Sequence, residues 1–345
     1  MRTTLLVGLL ALAACGDGIS AAERRAIPGR IAFVSERDGN PEVYLMGPDG
    51  GEVRRLTTDP GADFPAAVAP DGRSLLVVSS LRGPQAGDQQ ERMSLLPLDG
   101  GRAREVGWTS ARARSPSWSP DGRWVVFESD RASFRDLFRA AAAGGAPQRL
   151  TNNAEGNFEP AVSPDGSRVA FVSSRDGDSE VYVMRADGGE VRRLTTFYRD
   201  DWSPRWSPDG RTIAFLSNRE RVDRIFLVGA NGSGMRQLTT LRDSSVAEGD
   251  FVWSPDGARI AFVERRREGR ARIRVAEVRT GATHDVTTGA AEAGNPAWSP
   301  DGKYLAYFSE EGGDPDLYLA RADGTGATRL TSSKGADWLP RWVNR

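Results

Sequence analysis

Residues 31–58 read IAFVSERDGNPEVYLMGPDGGEVRRLTT, and the same order of apolar and polar positions returns at 169–196 as VAFVSSRDGDSEVYVMRADGGEVRRLTT. Each copy opens on an apolar run rich in β-branched and aromatic residues, the composition of a strand covered on both faces. A polar loop follows, then an alternating run such as EVYVM at 180–184, then, past ADGG, a short VRRLT. Ahead of the apolar run stands a further short strand, as in PRW at 204–206, which ends in SPDG. The pattern predicts units of four short strands.

SPDG recurs at 119–122, 163–166, 207–210, 254–257 and 299–302, with APDG at 69–72. The prolines are 50, 44, 44, 47 and 45 residues apart, a period that suits the blades of a β-propeller. In such a turn Pro presets φ, Asp bonds forward to backbone N–H groups and Gly accepts a positive φ, so the motif is a hairpin between a unit's first and second strands. The tryptophan before it, at 118, 206, 253, 298 and again at 342, is expected to pack between neighbouring blades. Second strands begin near Ile31, Leu75, Trp124, Val169, Ile213, Ile260 and Leu305, and first strands also number seven, the last being DWLPRW at 337–342. The chain thus enters on a second strand and leaves on a first. The expected fold is all-β: a seven-bladed propeller of four-stranded antiparallel blades, closed by pairing the C-terminal strand with the N-terminal blade, which removes open edges.

These units resemble the PD40, or WD40-like, repeats of TolB-like proteins over residues 30–343. Proteins of the TolB type carry a separate α/β domain ahead of a six-bladed propeller, whereas about fourteen residues of tether precede seven repeats here.

Charge is nearly balanced, 46 basic against 47 acidic residues, so no broad positive field is available for nucleic acid. The leader MRTTLLVGLLALAAC is too short to span a bilayer and reads as the core of a signal peptide. Leu12-Ala13-Ala14-Cys15 resembles a bacterial lipobox, which implies a signal peptide over 1–14, lipidation of Cys15, and a tether to residue 29 before a propeller over 30–345. An ordinary secretory signal with an incidental cysteine is the alternative. Cys15 is the only cysteine, so no internal disulfide is available. The implied location is the bacterial cell envelope, periplasmic or outer-membrane associated, with membrane contact only through the lipid.

Candidate chemistry is sparse. One histidine, His284, cannot build a histidine metal cluster, and no G-x-S-x-G nucleophile elbow occurs. The loops RDGNPE (37–42), RDGDSE (175–180) and GGDPD (312–316) space oxygens like calcium ligands but fall short of a full calcium loop, so they read as hairpins, and neither metal nor cofactor is expected. Seven residues before each PDG proline or its equivalent stand Asp63, Ala113, Asn157, Asp201, Glu248, Ala293 and Asp337. In a propeller these positions should ring one mouth of the channel, with aromatics such as Trp202 and Trp338 beside them and Arg205 and Arg341 four residues deeper. Such a mouth suits a peptide or polar ligand. The expectation is therefore a monomeric, non-enzymatic lipoprotein that binds an envelope protein or peptide partner through Asp63, Asn157, Asp201, Trp202, Arg205, Glu248, Asp337, Trp338 and Arg341. The alternative is a carbohydrate-active or other enzyme using the mouth carboxylates as acid and base.

Overall fold

The apolar second and third strands of each unit pair as the pattern requires. The computed structural model of the protein describes residues 18–82, 89–106, 112–132, 134–239, 243–267 and 269–344; the predicted signal peptide and Cys15 lie outside the described residues. Among the described residues there are seven four-stranded antiparallel sheets. Blade 1 joins both ends of the chain in the order Asp337–Val343, Arg30–Ser35, Glu42–Met46, Arg54–Arg55. Blades 2 to 7 follow in sequence, their first strands being Ala62–Val68, Ala113–Trp118, Asn157–Val162, Asp201–Trp206, Val246–Trp253 and Ala293–Trp298. First strands of successive blades touch each other, as blade 3 does blade 4 and blade 4 does blade 5, which makes them the inner ring.

The core lies between blades. Phe33, Phe127, Phe171, Phe215 and Phe262, one from each of five second strands, are fully buried. Phe33 meets Tyr44, Phe171 meets Tyr182 and Phe215 meets Phe226 on the third strand, with ring centroids 5.7 to 5.9 Å apart. Each blade-linking tryptophan donates its indole N–H to a first-strand carbonyl of the preceding blade: Trp118 to Ala67, Trp206 to Ala161, Trp253 to Arg205, Trp298 to Val252 and Trp342 to Ala297, at 2.9 to 3.3 Å.

The SPDG hairpin works through its side chains. In blade 3 the Ser119 hydroxyl donates to Asp121 (2.6 Å) and accepts from the Trp124 amide (3.0 Å), while Asp121 accepts from the Arg123 amide (3.0 Å). Gly122 sits at φ 68°, where a side chain would be strained. The same glycine approaches the turn proline of the blade before: a Cβ on Gly166 would lie 3.2 Å from Pro120. Gly29 takes this role at the seam. It has φ 91°, and a Cβ there would stand 2.4 Å from the carbonyl oxygen of Val343.

Ring closure follows the predicted register, with Arg30 opposite Val343, Ile31 opposite Trp342 and Ser35 opposite Asp337. The expected tether over 15–29 is corrected from Gly18 onward, because the segment is bound to the ring. Ile19 and Ile27 are buried in the cluster of Ile31, Phe33, Leu319 and Trp342. The Ile19 amide donates to Thr328 Oγ1 (2.9 Å) and to the Gly326 carbonyl (3.3 Å). Between them a short helix, Ala21–Arg25, capped by Ser20, presents Glu23 to Arg321 and Tyr304 of blade 7 and Arg25 to Asp49 of blade 1. Two isoleucines in fourteen residues gave too little periodicity to reveal this strap.

Trp342 closes the seam, so Trp342→Ala should lower stability by about 3–5 kcal/mol, measured by urea unfolding. A loss below about 1 kcal/mol would mean that the ring does not depend on this contact.

Candidate functional site

Each first strand carries one extra residue relative to its second strand. In blade 5, Trp202 faces Leu216 but Arg205 faces Ala214, a register shift repeated in all seven blades. The bulge holds Ser115, Glu159, Ser203, Asp250, Asn295 and Leu339 at positive φ, between 42° and 54°. An extra residue reverses the alternation of faces along the strand. The residue two positions before the bulge residue therefore turns into the blade junction, and the bulge residue and the one two beyond it turn toward the channel.

This parity change corrects the expected acidic rim. Asp63, Asn157, Asp201 and Asp337 are fully buried and Glu248 nearly so. Asp201 accepts from the Arg219 guanidinium at 2.8 and 3.1 Å. That arginine is held by Ser217 Oγ (2.8 Å) and lies 4.4 Å from the centroid of Phe226. Arg37 repeats the arrangement with Asp337, at 3.2 Å to both oxygens, and Ser333 adds a bond at 2.7 Å. Arg175 donates to Asn157 (3.0 Å), whose amide donates to Asp136 at 2.7 Å. Glu248 accepts from the Ile225 amide (2.9 Å) and from the Thr239 hydroxyl; burial pushes its carboxyl above the usual range, against the pull of those bonds. The mouth residues of the sequence are thus buried at the blade junctions: Asp201 and Asp337 pair with an arginine of their own blade, while Asn157 and Glu248 bond across to the blade before.

Asp63 breaks the series. Arg219, Arg37 and Arg175 each stand two residues beyond the serine opposite the junction residue, and in blade 2 that position, two beyond Ser79, is Leu81. Neither carboxylate oxygen of Asp63 has a partner of good geometry. Burial pushes the carboxyl up to about 6, against a downward pull from the Ser79 and Thr57 hydroxyls, while Glu42 and Asp59 push it further up.

Trp202 and Trp338 are half-buried, and Trp338 packs across the seam on Phe64 with centroids 5.7 Å apart. The calcium-like loops spend their oxygens within the protein. Glu42 and Glu180 are buried against Arg55 and Arg193 (2.7 and 2.5 Å) and against Thr57 and Thr195. Asp316 pairs with Arg329. His284, on an outermost strand, places Nε2 2.8 Å from the Ala322 carbonyl.

The channel itself holds a cavity of about 830 Å³. Arg205 and Arg341 project into it, as the sequence anticipates, together with three acids that it did not single out, Glu159, Asp250 and Glu91, the last paired with Arg114. Asp250 is exposed and Glu159 half-buried. Glu159 accepts from the Ser203 amide at 2.6 Å, and Asp250 accepts from the Asn295 amide (2.9 Å) and side chain (3.0 Å). Each acid is thus oriented by the bulge of the next blade. The missed signal was the position two residues beyond the junction residue, visible only once a bulge is assumed. Trp206 and Trp253 also reach the cavity, so these tryptophans join core packing to channel lining.

A ring of four-stranded blades around a channel cavity defines a β-propeller. The chain belongs to the PD40 family, described as the TolB beta propeller domain, whose model matches residues 151–252 and 251–344. It is 28% identical over 147 residues to the uncharacterized peptidase YuxL of Bacillus subtilis (strain 168), which covers 33% of this chain and 22% of that one. The chain spans less than half the length of the curated relatives it matches. Among solved structures it is similar to TolB from Acinetobacter baumannii (TM-score 0.59, 21% identity, covering 98% of this chain and 89% of that chain). It is also similar to a Mycobacterium tuberculosis puromycin-hydrolyzing peptidase (TM-score 0.61, 20% identity, 92% and 56%). These structural likenesses establish the fold. The expectation of a non-enzymatic binding protein is corrected: a relative named as a peptidase shares the repeats, and peptidases are among the structures with this propeller.

The raised carboxyl of Asp63 sets a pH dependence. A buried acid without a cation stabilises the fold while protonated, so its contribution is complete below about pH 4 and is lost as pH rises through about 6. Asp63→Asn should therefore be more stable than the parent by about 1–2 kcal/mol at pH 7.5, the difference disappearing near pH 4. Equal urea midpoints at both pH values would show that Asp63 carries no such penalty.

Proposed function

We propose that the protein is part of a peptide-processing enzyme system, with the channel cavity as the place where substrate is held. The observation that carries this reading is the convergence of Arg205, Arg341, Glu159 and Asp250 on one cavity of about 830 Å³, a size within the range of ligand sites. The buried junction acids are committed to structure and Glu91 is paired with Arg114, so acid–base chemistry at this cavity falls to Glu159 and Asp250. Their bonds to backbone amides fix each carboxylate's direction, and Asp250 remains open to solvent. The peptidase relative supports a peptide as the substrate class.

The leader and Cys15 support, on this reading, a location in the cell envelope under a lipid anchor. Gly18 follows Cys15 by three residues, and Ile19 is bound to the Gly326 carbonyl beside the turn between the outer two strands of blade 7. That turn lies on the same side of the ring as the SPDG hairpins, because antiparallel strands return there after two passes. An anchor would therefore hold the SPDG side toward the membrane and leave the opposite channel mouth facing away.

Incubating the purified chain with a peptide library and reading cleavage by mass spectrometry tests the activity. Asp250→Asn or Glu159→Gln should reduce turnover by about a hundredfold or more. No cleavage by the parent chain, or undiminished cleavage by both variants, rejects the reading. Cys15→Ser should move the protein from the membrane fraction to the soluble fraction of its cell, and an unchanged distribution rejects the anchor.

A further inference from the structure

Three arginines line the channel cavity: Arg114 is paired with Glu91, whereas Arg205 and Arg341 reach no carboxylate among the described residues. Arg205 and Arg341 stand at one register, opposite Ala214 and Ala32, where the other blades carry Ala67, Ser117, Ala161, Val252 and Ala297. Blades 6 and 7 separate them around the ring, so they enter the channel from different sides, yet near enough for each positive charge to act on the other. Arg341 makes no hydrogen bond or ion pair among the described residues. Arg205 bonds only to the carbonyl of its own neighbour Pro204, at 3.3 Å. Burial and the facing Arg205 push the Arg341 guanidinium below its ordinary range, with Asp250 opposing. Asp250 acts on Arg341 through space but forms no ion pair with either arginine, its Oδ2 being bonded to Asn295.

Two guanidinium groups that line one cavity with unused donors suit a planar anion that can accept in bidentate fashion and relieve their repulsion. The walls around them combine apolar surface, from Pro160, Ala161, Phe251 and Val252 beside Trp206 and Trp253, with polar groups such as Ser115 and Ser117 in about equal share. An oligosaccharide acid would need a polar partner for each hydroxyl. A peptide end offers one carboxylate and one apolar side chain, which matches the lining. We propose that Arg205 and Arg341 form a subsite for the C-terminal carboxylate of a peptide, an inference that rests on the peptide-processing reading above and names how the substrate is held.

Titration calorimetry on the full chain tests it with three probes: acetyl-Ala-Ala-Phe as the free acid, the same peptide as its C-terminal amide, and trigalacturonate. The acid should bind about tenfold or more tightly than the amide. Arg341→Gln and Arg205→Gln should each weaken the acid about tenfold and leave the amide and the thermal melting curve unchanged. Should Arg341→Gln fail to fold, Arg205→Gln, at an exposed side chain, gives the same reading. Equal affinity for acid and amide, tighter binding of trigalacturonate than of the peptide acid, or no binding of any probe overturns the subsite. Acid-selective binding without cleavage would keep the subsite and reject the enzyme reading; cleavage with equal affinity for acid and amide would do the reverse.

Discussion

The antiparallel pairing of Asp337–Val343 with Arg30–Ser35 is the contact on which the rest depends. A row of blades left open would expose the inner edge of the strand Arg30–Ser35 and the side of blade 7, with unpaired backbone groups at the first and apolar surface at the second. Closure removes both. It also fixes the channel: only when blade 1 is complete does Arg341 stand across from Arg205 and Trp342 cover the side of blade 7. The strap of residues 18–29 reinforces the same seam, with Glu23 on Arg321 of blade 7 and Arg25 on Asp49 of blade 1.

Polar groups within the ring are divided by the first-strand bulge. On one side of it, acids and amides enter the blade junctions and are satisfied by arginines that lie over aromatic rings, as Arg219 does with Asp201 and Phe226. Removing water from such charges is tolerable because each has both an opposite charge and further hydrogen bonds. On the other side, Glu159, Asp250, Arg205 and Arg341 face the cavity, where partners are incomplete. A scaffold that satisfies its buried charges at every junction but one, and leaves cations unsatisfied in the channel, concentrates its unspent electrostatics where a ligand can reach them.

Blade 2 shows what happens when one element of a repeat is lost. Its junction keeps the aspartate and the serine but has Leu81 at the arginine position, and Asp63 is left buried with its carboxyl raised to about 6. The junctions of blades 1, 4 and 5, where Arg37, Arg175 and Arg219 are in place, show that this is a departure from the unit rather than a property of the fold.

The sequence by itself determined the number of blades, the strand order and the closure, because each depends on local signals that recur. The SPDG turn, the apolar second strand and the indole before the hairpin return with every unit, and a count of them defines the ring. It also pointed to Arg205 and Arg341 as channel residues. The facing of the acids was decided only in the tertiary structure. One inserted residue per first strand reverses side-chain parity without leaving a composition signal, so Asp201 and Asp337 went to the junctions while Glu159 and Asp250 went to the channel. The strap was hidden for a related reason: Ile19 and Ile27 gain their burial from blades 7 and 1, whose meeting exists only after the ends of the chain have been brought together.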